Sequence, residues 1–246
     1  MNIIITGGTK GIGRAIAEKF AQEGFNLAIC ARNSNDLKEF KKELSKKYPK
    51  IEILIKKTDM SKPKQVANFA EFVKKHWKKI DILVNNAGVF LPGEILKEKE
   101  GTLESQINTN LYSAYHLSRA IAPEMVRKKS GYIFNMCSIA SKIAYPNGGS
   151  YSISKFALYG FSKVLREELK EKGVRVSAIL PGATWSASWA GVDLPKKRLM
   201  QANDIAEAIW GAWQMTPSAV MEEIILRPQL GAVSYTHLTL PTNREV

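Results

Sequence analysis

The segment from Thr6 to Gly13, with the sequence TGGTKGIG, constrains the fold of this chain more than any other. It follows an apolar run, Ile3 to Ile5, that is typical of a buried strand, and it opens a stretch with apolar residues at helical spacing. A strand that ends on glycines and turns directly into a helix leaves backbone N–H groups and the positive helix end facing outward. The pattern predicts a dinucleotide site with phosphates over Gly11–Gly13. Because the spacing G-x-x-x-G-x-G differs from the usual G-x-G-x-x-G, an ordinary strand-to-helix turn is the alternative.

Strand-like and helical segments alternate along the rest of the chain. The predicted strands are 26–31, 51–56, 80–85, 131–137, 174–180 and 222–226, and the predicted helices are 12–24, 34–47, 62–79, 102–129, 150–172 and 203–214. This alternation predicts an α/β fold: a Rossmann-type, doubly wound parallel sheet of about seven strands with helices on both faces. One domain over residues 1–231 accounts for these segments.

Composition narrows the class of protein. A chain of 246 residues is long enough for one α/β domain with a full core. No uncharged apolar run is long enough to span a membrane, and the first residues already form a core strand, which leaves no room for a signal peptide. Cys30 and Cys137 lie in strand-like runs without a C-x-x-C pattern, and the three histidines are scattered. We therefore expect reduced thiols, no metal, no membrane contact and a cytoplasmic location.

The net charge of +13 raises the alternative of a nucleic-acid-binding protein. Residues 31–80 alone hold 15 Lys/Arg and 6 Asp/Glu, an excess of nine positive charges. The lysines occur mostly in pairs on the polar faces of amphipathic segments. The pattern favours a solvated helix surface, and we expect no nucleic-acid partner.

The end of the second strand bears on the choice of cofactor. It reads Cys30-Ala31-Arg32-Asn33, and the first acidic residue, Asp36, comes only in the next helix. In such folds a carboxylate here holds the ribose of NAD, whereas a nearby arginine accommodates the 2′-phosphate of NADP. Arg32, with Lys10 as a second positive charge on the same side, favours NADPH over NADH because a guanidinium pairs with a phosphate.

Four polar signals follow at strand ends and helix starts. Asn85-Asn86-Ala87-Gly88 ends the fourth strand, Asn110 lies in the long helix, and Ser138 follows the fifth strand. Tyr151 and Lys155 lie four residues apart and share one helical face, so the ammonium can lie beneath the phenol. A nearby cation favours the phenolate and lowers a phenol pKa that starts at about 10. Tyr151 could then serve as a general acid near neutral pH.

Taken together, these residues resemble the short-chain dehydrogenase/reductase family from Met1 to about residue 230. The matching motifs are Thr6-Gly7-x-x-x-Gly11-x-Gly13, Asn85-Asn86-Ala87-Gly88, Asn110, Ser138, Tyr151-x-x-x-Lys155 and Pro181-Gly182. The resemblance implies that Tyr151 protonates the substrate carbonyl while NADPH delivers hydride, and that Ser138 polarises that oxygen. It implies that Lys155 holds the nicotinamide ribose and tunes Tyr151, and that Asn110 fixes a water linking Lys155 to solvent.

The same resemblance implies the cofactor site and the assembly. Asp59-Met60 matches a pair that contacts adenine. The residues expected to bind NADP(H) are Gly7, Thr9, Lys10, Gly11, Ile12, Gly13, Arg32, Asn33, Asp59, Met60, Asn86, Ala87, Gly88, Tyr151, Lys155, Pro181, Gly182 and Thr184. The family also implies a homodimer or homotetramer built on helices 102–129 and 150–172.

Substrate identity rests on fewer residues. Trp189, with Phe90 and Tyr145, could form an aromatic wall for a planar substrate, or Trp185 and Trp189 could only close over the cofactor. The expected substrate residues are Ser138, Tyr145, Tyr151 and Trp189. Ser186 stands where the family commonly has threonine. This difference retains a hydroxyl group at the position.

The C-terminal part favours one branch of the family. Residues 189–193 and 221–228 are similar to bacterial sepiapterin reductases, which favours a small ketone. A 3-oxoacyl-acyl-carrier-protein reductase is the alternative enzyme, although the Gly-Gly ending usual there is missing. A non-catalytic NADP-sensing or nucleic-acid-binding module is the alternative of another class.

Residues 232–246 fit none of these patterns. The stretch 233–242, VSYTHLTLPT, looks like the translation of a transposon-end sequencing adapter. We expect this tail to be non-native and loosely packed or disordered.

Overall fold

A computed structural model describes residues 1–185 and 198–231 of the chain. Its strands are β1 Asn2–Thr6, β2 Asn26–Ala31, β3 Ile53–Lys57, β4 Ile82–Asn85, β5 Gly131–Met136, β6 Val174–Pro181 and β7 Glu223–Leu226. Its α-helices are α1 Gly11–Gln22, α2 Ser34–Lys47, α3 Pro63–His76, α4 Thr102–Ile107, α5 Ser113–Lys128, α6 Gly149–Leu169 and α7 Ala202–Gln214. A π-helical turn, Asn108–Tyr112, joins α4 to α5, and short 3₁₀ turns lie at Ile139–Ser141 and Lys170–Lys172.

The seven described strands form one parallel sheet in the order β3-β2-β1-β4-β5-β6-β7. The order reverses between β1 and β4, and the strands on either side of this point end at Thr6 and Asn85. In doubly wound sheets a crevice opens at such a switch point, outside the carboxyl ends of the strands. The predicted fold class is therefore confirmed, and the residues expected to bind ligand follow the strands at this edge.

Both faces of the sheet are covered, which explains why its strands are almost continuously apolar. Ile3 and Ile5 point into one core layer, which α1, α2 and α7 cover, and Ile4 points into the other, beneath α3 and α5. Each of these three side chains is fully buried. Burying an isoleucine contributes about 1.5–3 kcal/mol, so this short strand holds the following glycine turn firmly in place.

The predicted helix 102–129 is wrong as one uniform helix. The structure interrupts it with the π-helical turn, which holds Asn110. The Asn110 side chain bonds to the backbone of Val89 on a neighbouring loop, and one inserted residue in the helix directs it there. Such a local insertion leaves the apolar periodicity on both sides intact, so the sequence pattern did not show it.

Two predictions concern residues that the structure does not describe. They are the roles of Trp189 and Ser186 toward the substrate, and the disorder of the tail 232–246. Within residues 1–185 and 198–231, none of the helices combines the length and the apolar character that crossing a bilayer requires.

Candidate active site

The glycine turn after β1 is built for a close approach of another group to the backbone. Gly7 and Gly11 have φ of +64° and +53°, which favours glycine. A methyl group at Gly13 would lie 2.4 Å from the Gly7 carbonyl oxygen, whereas one at Gly11 would meet nothing within 4 Å. Thr9 is buried and Ile12 packs partly against the core. The turn therefore packs tightly against the protein at Gly13, and it leaves free space for another group at Gly11.

The first turn of α1 offers unsatisfied donors at this open side. Lys10 occupies the N-cap position, but its side chain does not cap the helix. The first N–H groups of a helix lack partners within it and carry the positive end of the dipole. These groups, next to Gly11, fit the pyrophosphate of a dinucleotide.

A hydrogen-bonded latch joins the glycine turn to the end of β4. The Thr6 hydroxyl accepts hydrogen bonds from the backbone N–H groups of Asn86 and Ala87, both at 2.9 Å. In return, the Asn86 side-chain amide donates to the Thr6 carbonyl at 2.8 Å and to the Gly7 carbonyl at 3.2 Å. The latch fixes the two walls of the crevice relative to each other.

The residues predicted to recognise the adenosine end differ in their surroundings. Arg32 is exposed just after β2, and the Asn33 side-chain oxygen caps α2 by accepting from the N–H groups of Asn35 and Asp36. Lys10 forms an ion pair with Asp36, with 2.7 Å between Nζ and Oδ2. Because Lys10 already has a carboxylate partner, it is not the free second charge that the sequence suggested.

Asp59 and Met60 follow β3. The Asp59 side chain lies near the surface, whereas that of Met60 does not. Partial burial acts to raise the pKa of Asp59, but hydrogen bonds from Ser61 and the charges of Arg32 and Lys62 outweigh it, so the pKa is lowered. The Met60 side chain is buried against the Cys30 sulfur, 3.6 Å away.

Tyr151 and Lys155 meet at the start of α6, as their spacing predicted. The Lys155 ammonium lies 5.8 Å from the centroid of the Tyr151 ring. Phe90 packs edge-on against this ring as well, with centroids 4.7 Å apart. The Tyr151 ring therefore contacts both an aromatic ring and a cation.

Lys155 is buried at the end of β5. Its Nζ donates to the Met136 carbonyl oxygen at 2.8 Å and lies 3.5 Å from the position of a Cβ built on Gly88. Burial lowers the pKa of the Lys155 ammonium to about 8. Burial also raises the pKa of the neighbouring Cys137 thiol to about 12, although the Lys155 charge opposes that change. Near neutral pH the site thus holds an ammonium that can lose its proton and a thiol that cannot.

Asn110 connects the π-helical turn to the site. Its side-chain oxygen accepts from the Val89 N–H at 2.7 Å, and its amide donates to the Val89 carbonyl at 3.0 Å and to the Ser154 hydroxyl at 2.8 Å. A Cβ on Gly88 would lie 3.2 Å from the same Asn110 oxygen. Asn110, Gly88 and Lys155 are therefore close neighbours in the structure.

Ser138 follows β5 directly and is buried. Its hydroxyl accepts from the Ala140 N–H at 3.1 Å, and its own N–H donates to the Ser141 hydroxyl at 3.1 Å. The side chain thus begins a 3₁₀ turn two residues beyond the carbonyl that Lys155 contacts. A hydroxyl whose oxygen accepts one bond still has its own proton to donate.

The remaining predicted residues are Tyr145, which precedes α6, and Pro181, Gly182 and Thr184 at the end of β6. Tyr145 borders a cavity of about 560 Å³ with Ile95 and Phe156. Pro181 ends β6, Gly182 donates to the Leu226 carbonyl at 2.8 Å, and the buried Thr184 bonds back to the Gly182 carbonyl at 3.0 Å.

Sequence reasoning missed three contributors to the site. Ser154 donates to the Tyr151 carbonyl at 2.7 Å while accepting from Asn110. Glu98 accepts from the N–H and the hydroxyl of Ser150, directly before Tyr151. Thr6 was noted only as part of the glycine motif. Ser154 lies within the Tyr-x-x-x-Lys interval, so a polar residue there was the available signal, whereas nothing in the sequence pointed to Glu98.

Comparison with known proteins gives the family of this chain. The family model described as short chain dehydrogenase matches residues 1–195. A diacetyl reductase, (S)-acetoin forming, from Staphylococcus epidermidis is 33% identical over 206 residues, covering 83% of this chain and 79% of that protein. A sepiapterin reductase from Chlorobaculum tepidum is 32% identical over 239 residues, covering 94% and 97%.

Among solved structures, an L-sorbose reductase from Gluconobacter frateurii complexed with NADPH and L-sorbose superimposes with a TM-score of 0.85. It is 26% identical to this chain, and the match covers 92% of this chain and 95% of the other. With the glycine turn, the Tyr151–Lys155 pair and the family match in agreement, this chain belongs to the short-chain dehydrogenase family of oxidoreductases.

Proposed function

We propose that this protein is an NADPH-dependent reductase that transfers hydride to a small ketone. The observation that carries the proposal is the position of the Tyr151 phenol above the buried Lys155 ammonium, at the strand edge that the open glycine turn also faces. A phenol beside a cation loses its proton more readily, which suits it to proton transfer near neutral pH.

Each polar group at this edge has a task in carbonyl reduction. When bound, NADPH supplies the hydride. Tyr151 donates its phenolic proton to the carbonyl oxygen, and the Ser138 hydroxyl donates a hydrogen bond that polarises the same oxygen. Lys155 stabilises the phenolate that remains, and Asn110 holds the Val89 loop and Ser154 around it. Together these groups stabilise the negative charge that develops on the carbonyl oxygen during reduction.

The preference for NADPH rests on the adenosine end of the site. Arg32 is exposed in the turn between β2 and α2, where a 2′-phosphate would lie in this fold, and Lys10 reaches the same turn through its ion pair with Asp36. The sorbose reductase, which is described as a complex with NADPH, supports this choice. The first turn of α1 and the open side of Gly11 would hold the pyrophosphate.

A small ketone is the substrate class that the relatives favour. The diacetyl reductase and the sepiapterin reductase are each named for a small carbonyl compound. Tyr145 and Phe90 would contribute aromatic surface. The runner-up, a 3-oxoacyl-acyl-carrier-protein reductase, would need a long open groove for an acyl chain on a carrier protein.

The test is NADPH oxidation, followed at the nicotinamide absorbance, against diacetyl, sepiapterin and acetoacetyl thioesters. We expect turnover of at least one small ketone, and a Tyr151→Phe variant should lose about 10²–10⁴-fold in kcat/KM with NADPH affinity unchanged. Tyr159→Phe, the same change two turns along α6, should keep full activity. Turnover of thioesters alone would favour the runner-up, and no turnover of any carbonyl would overturn the proposal.

We further propose a homodimer or homotetramer. The outward sides of α5 and α6 carry exposed apolar residues, and the Tyr115 and Phe161 rings, 5.7 Å apart, join the two helices into one face. Val164, three residues after Phe161 on α6, is 58% exposed. Sedimentation velocity should show an oligomer in the native chain and monomer in Val164→Asp; a monomeric native chain would contradict this assembly.

Three further assignments accompany this function. We propose that residues 1–231 form one domain, because all seven described strands belong to one sheet. We also propose that 232–246 are a non-native tail, because residues 233–242 look like the translation of a sequencing adapter. We also propose a cytoplasmic location, since Cys30 and Cys137 are both free and buried.

A further inference from the structure

The ion pair between Lys10 and Asp36 lies at the outer wall of the glycine turn. The Lys10 ammonium and the Asp36 carboxylate are 2.7 Å apart, and their side chains are 75% and 25% exposed. Asp36 lies in the first turn of α2, where the helix dipole favours a carboxylate, and its N–H is capped by Asn33. The less exposed and better anchored partner is thus the acid, and the more exposed partner is the lysine.

The surroundings of this pair are rich in carboxylates. Lys10 and Asp36 line a cavity of about 660 Å³ together with Arg14, Glu39 and Glu43. Arg14 is already engaged, since its guanidinium donates to both Glu43 oxygens at 2.7 Å and to Glu18 at 2.8 Å. An incoming anion at this wall would therefore meet Lys10 as a cation already paired with Asp36.

We propose that Asp36 competes with the 2′-phosphate of NADPH for Lys10, and so sets how strongly this chain prefers NADPH to NADH. This inference rests on the proposed function. A 2′-phosphate that reaches Lys10 must share its ammonium with the Asp36 carboxylate or displace it. An exposed ion pair contributes about 0–1 kcal/mol, so the phosphate can displace it, but at reduced net affinity. NADH carries no 2′-phosphate and meets no such competition.

The experiment measures equilibrium binding of NADPH and NADH by fluorescence titration, without substrate, to the full chain and its variants. Asp36→Asn should tighten NADPH binding about threefold to fivefold, the size an exposed pair supports, while NADH changes by less than about twofold. Adenosine 2′,5′-bisphosphate, which carries the 2′-phosphate but lacks the nicotinamide half of the cofactor, should follow NADPH. The matched control is Glu39→Gln, which removes a carboxylate from the same cavity and helix and should leave both affinities within about twofold.

A double-variant cycle tests whether the competition is for Lys10. In a Lys10→Met background, Asp36→Asn should change NADPH affinity by less than about twofold, because the cation contested by both anions is gone. An equal gain in both backgrounds would overturn the inference, since it would mean direct repulsion between carboxylate and phosphate. A thermal melt of each variant confirms that it is folded.

Other outcomes are equally decisive. Unchanged NADPH affinity in Asp36→Asn would overturn the inference and leave the proposed function intact. Weaker NADH binding would show instead that the carboxylate holds the ribose hydroxyls. A native chain that binds neither cofactor would refute the proposed function itself.

Discussion

Asn110 donates a hydrogen bond of 2.8 Å to Ser154, and Ser154 donates one of 2.7 Å to the backbone carbonyl of Tyr151. The first residue lies in the π-helical turn and the second is in α6, between Tyr151 and Lys155. Asn110 and Ser154 are 1% and 0% exposed. These two buried hydrogen bonds fix the position of the first turn of α6. They therefore also fix the position of the Tyr151 phenol.

Asn110→Ala should reduce both stability and turnover. It removes the partners of the Val89 N–H and carbonyl groups, and leaving such groups unsatisfied costs about 1–3 kcal/mol each. Displacement of the site should lower kcat by about 10- to 100-fold. Ser154→Ala keeps both bonds to Val89 and should cost only about 1 kcal/mol. Urea denaturation and steady-state kinetics measure these effects, and equal losses in the two variants would contradict this division of roles.

Lys155 should make stability depend on alkaline pH. Its pKa is about 8 in the folded chain and 10.5 by its ordinary value, so between these values the unfolded chain binds more protons. The free energy of unfolding contributed by Lys155 therefore rises from pH 8 to 10.5, at up to about 1.4 kcal/mol per pH unit. Below pH 8 both states are protonated, and the folded state bears the full cost of burying the charge.

Lys155→Met removes this dependence. The stability of the variant relative to the native chain should be greatest below pH 8 and should decline as pH rises toward 10.5. Urea midpoints at several pH values measure the difference. A constant difference across that range would show that the ammonium titrates normally.

Gly13→Ala should disturb the glycine turn. The added methyl would lie 2.4 Å from the Gly7 carbonyl oxygen and 2.5 Å from the Asn86 amide nitrogen, so the latch must shift. Overpacking of this kind costs about 1–3 kcal/mol, and NADPH binding should weaken with it. Gly211→Ala is the control, because its methyl would meet nothing within 4 Å in α7 and should stabilise by about 0.5–1 kcal/mol. Thermal melts and cofactor titration provide the comparison; unchanged NADPH affinity in Gly13→Ala would argue against a phosphate site here.

Glu223→Gln should destabilise the junction of β7 and α6. The Glu223 carboxylate accepts from Lys142, Tyr159 and Lys163, and the bond from Lys142 is the largest cause that lowers its pKa to about 2. Because the folded pKa is below the ordinary value of 4.5, this stability is present above pH 4.5 and is lost as pH falls toward 2.

The loss in Glu223→Gln should be about 1–2 kcal/mol at pH 7 and should shrink in acid. Glu222→Gln, which affects the exposed pair with Arg166, should cost less than about 0.5 kcal/mol. Urea denaturation at pH 7 and pH 4 tests both variants. A gap between native chain and Glu223→Gln that widened in acid would contradict the assignment.

Periodicity and glycine spacing were sufficient to predict the sheet and most helix bounds. Strand 26–31 and helix 34–47 have the predicted ends, because Ala31 is followed by a polar turn and Asn33 caps the helix. Tyr151 and Lys155 meet because four residues are about one helical turn. These features depend on local pattern, which a single sequence records directly.

Features that depend on long-range contacts could not be predicted in the same way. Glu98 reaches Ser150 across 52 residues, and Lys10 meets Asp36 across helix α1 and strand β2. In the sequence Glu98 looks like ordinary solvated surface and Lys10 like a free positive charge, and only the folded arrangement brings in their partners.

The π-helical turn also determines which helices α4 and α5 contact. One extra residue advances the helical phase by about 100°, so the side of α4 that packs on α6 continues into α5 as a different stripe, the one that meets α3. A deletion in this turn would rotate every downstream side chain of α5 out of its contacts at once. The segment is therefore far less tolerant of a change in length than of a change in residue, and homologues of altered length here should be rare among folded proteins of this kind.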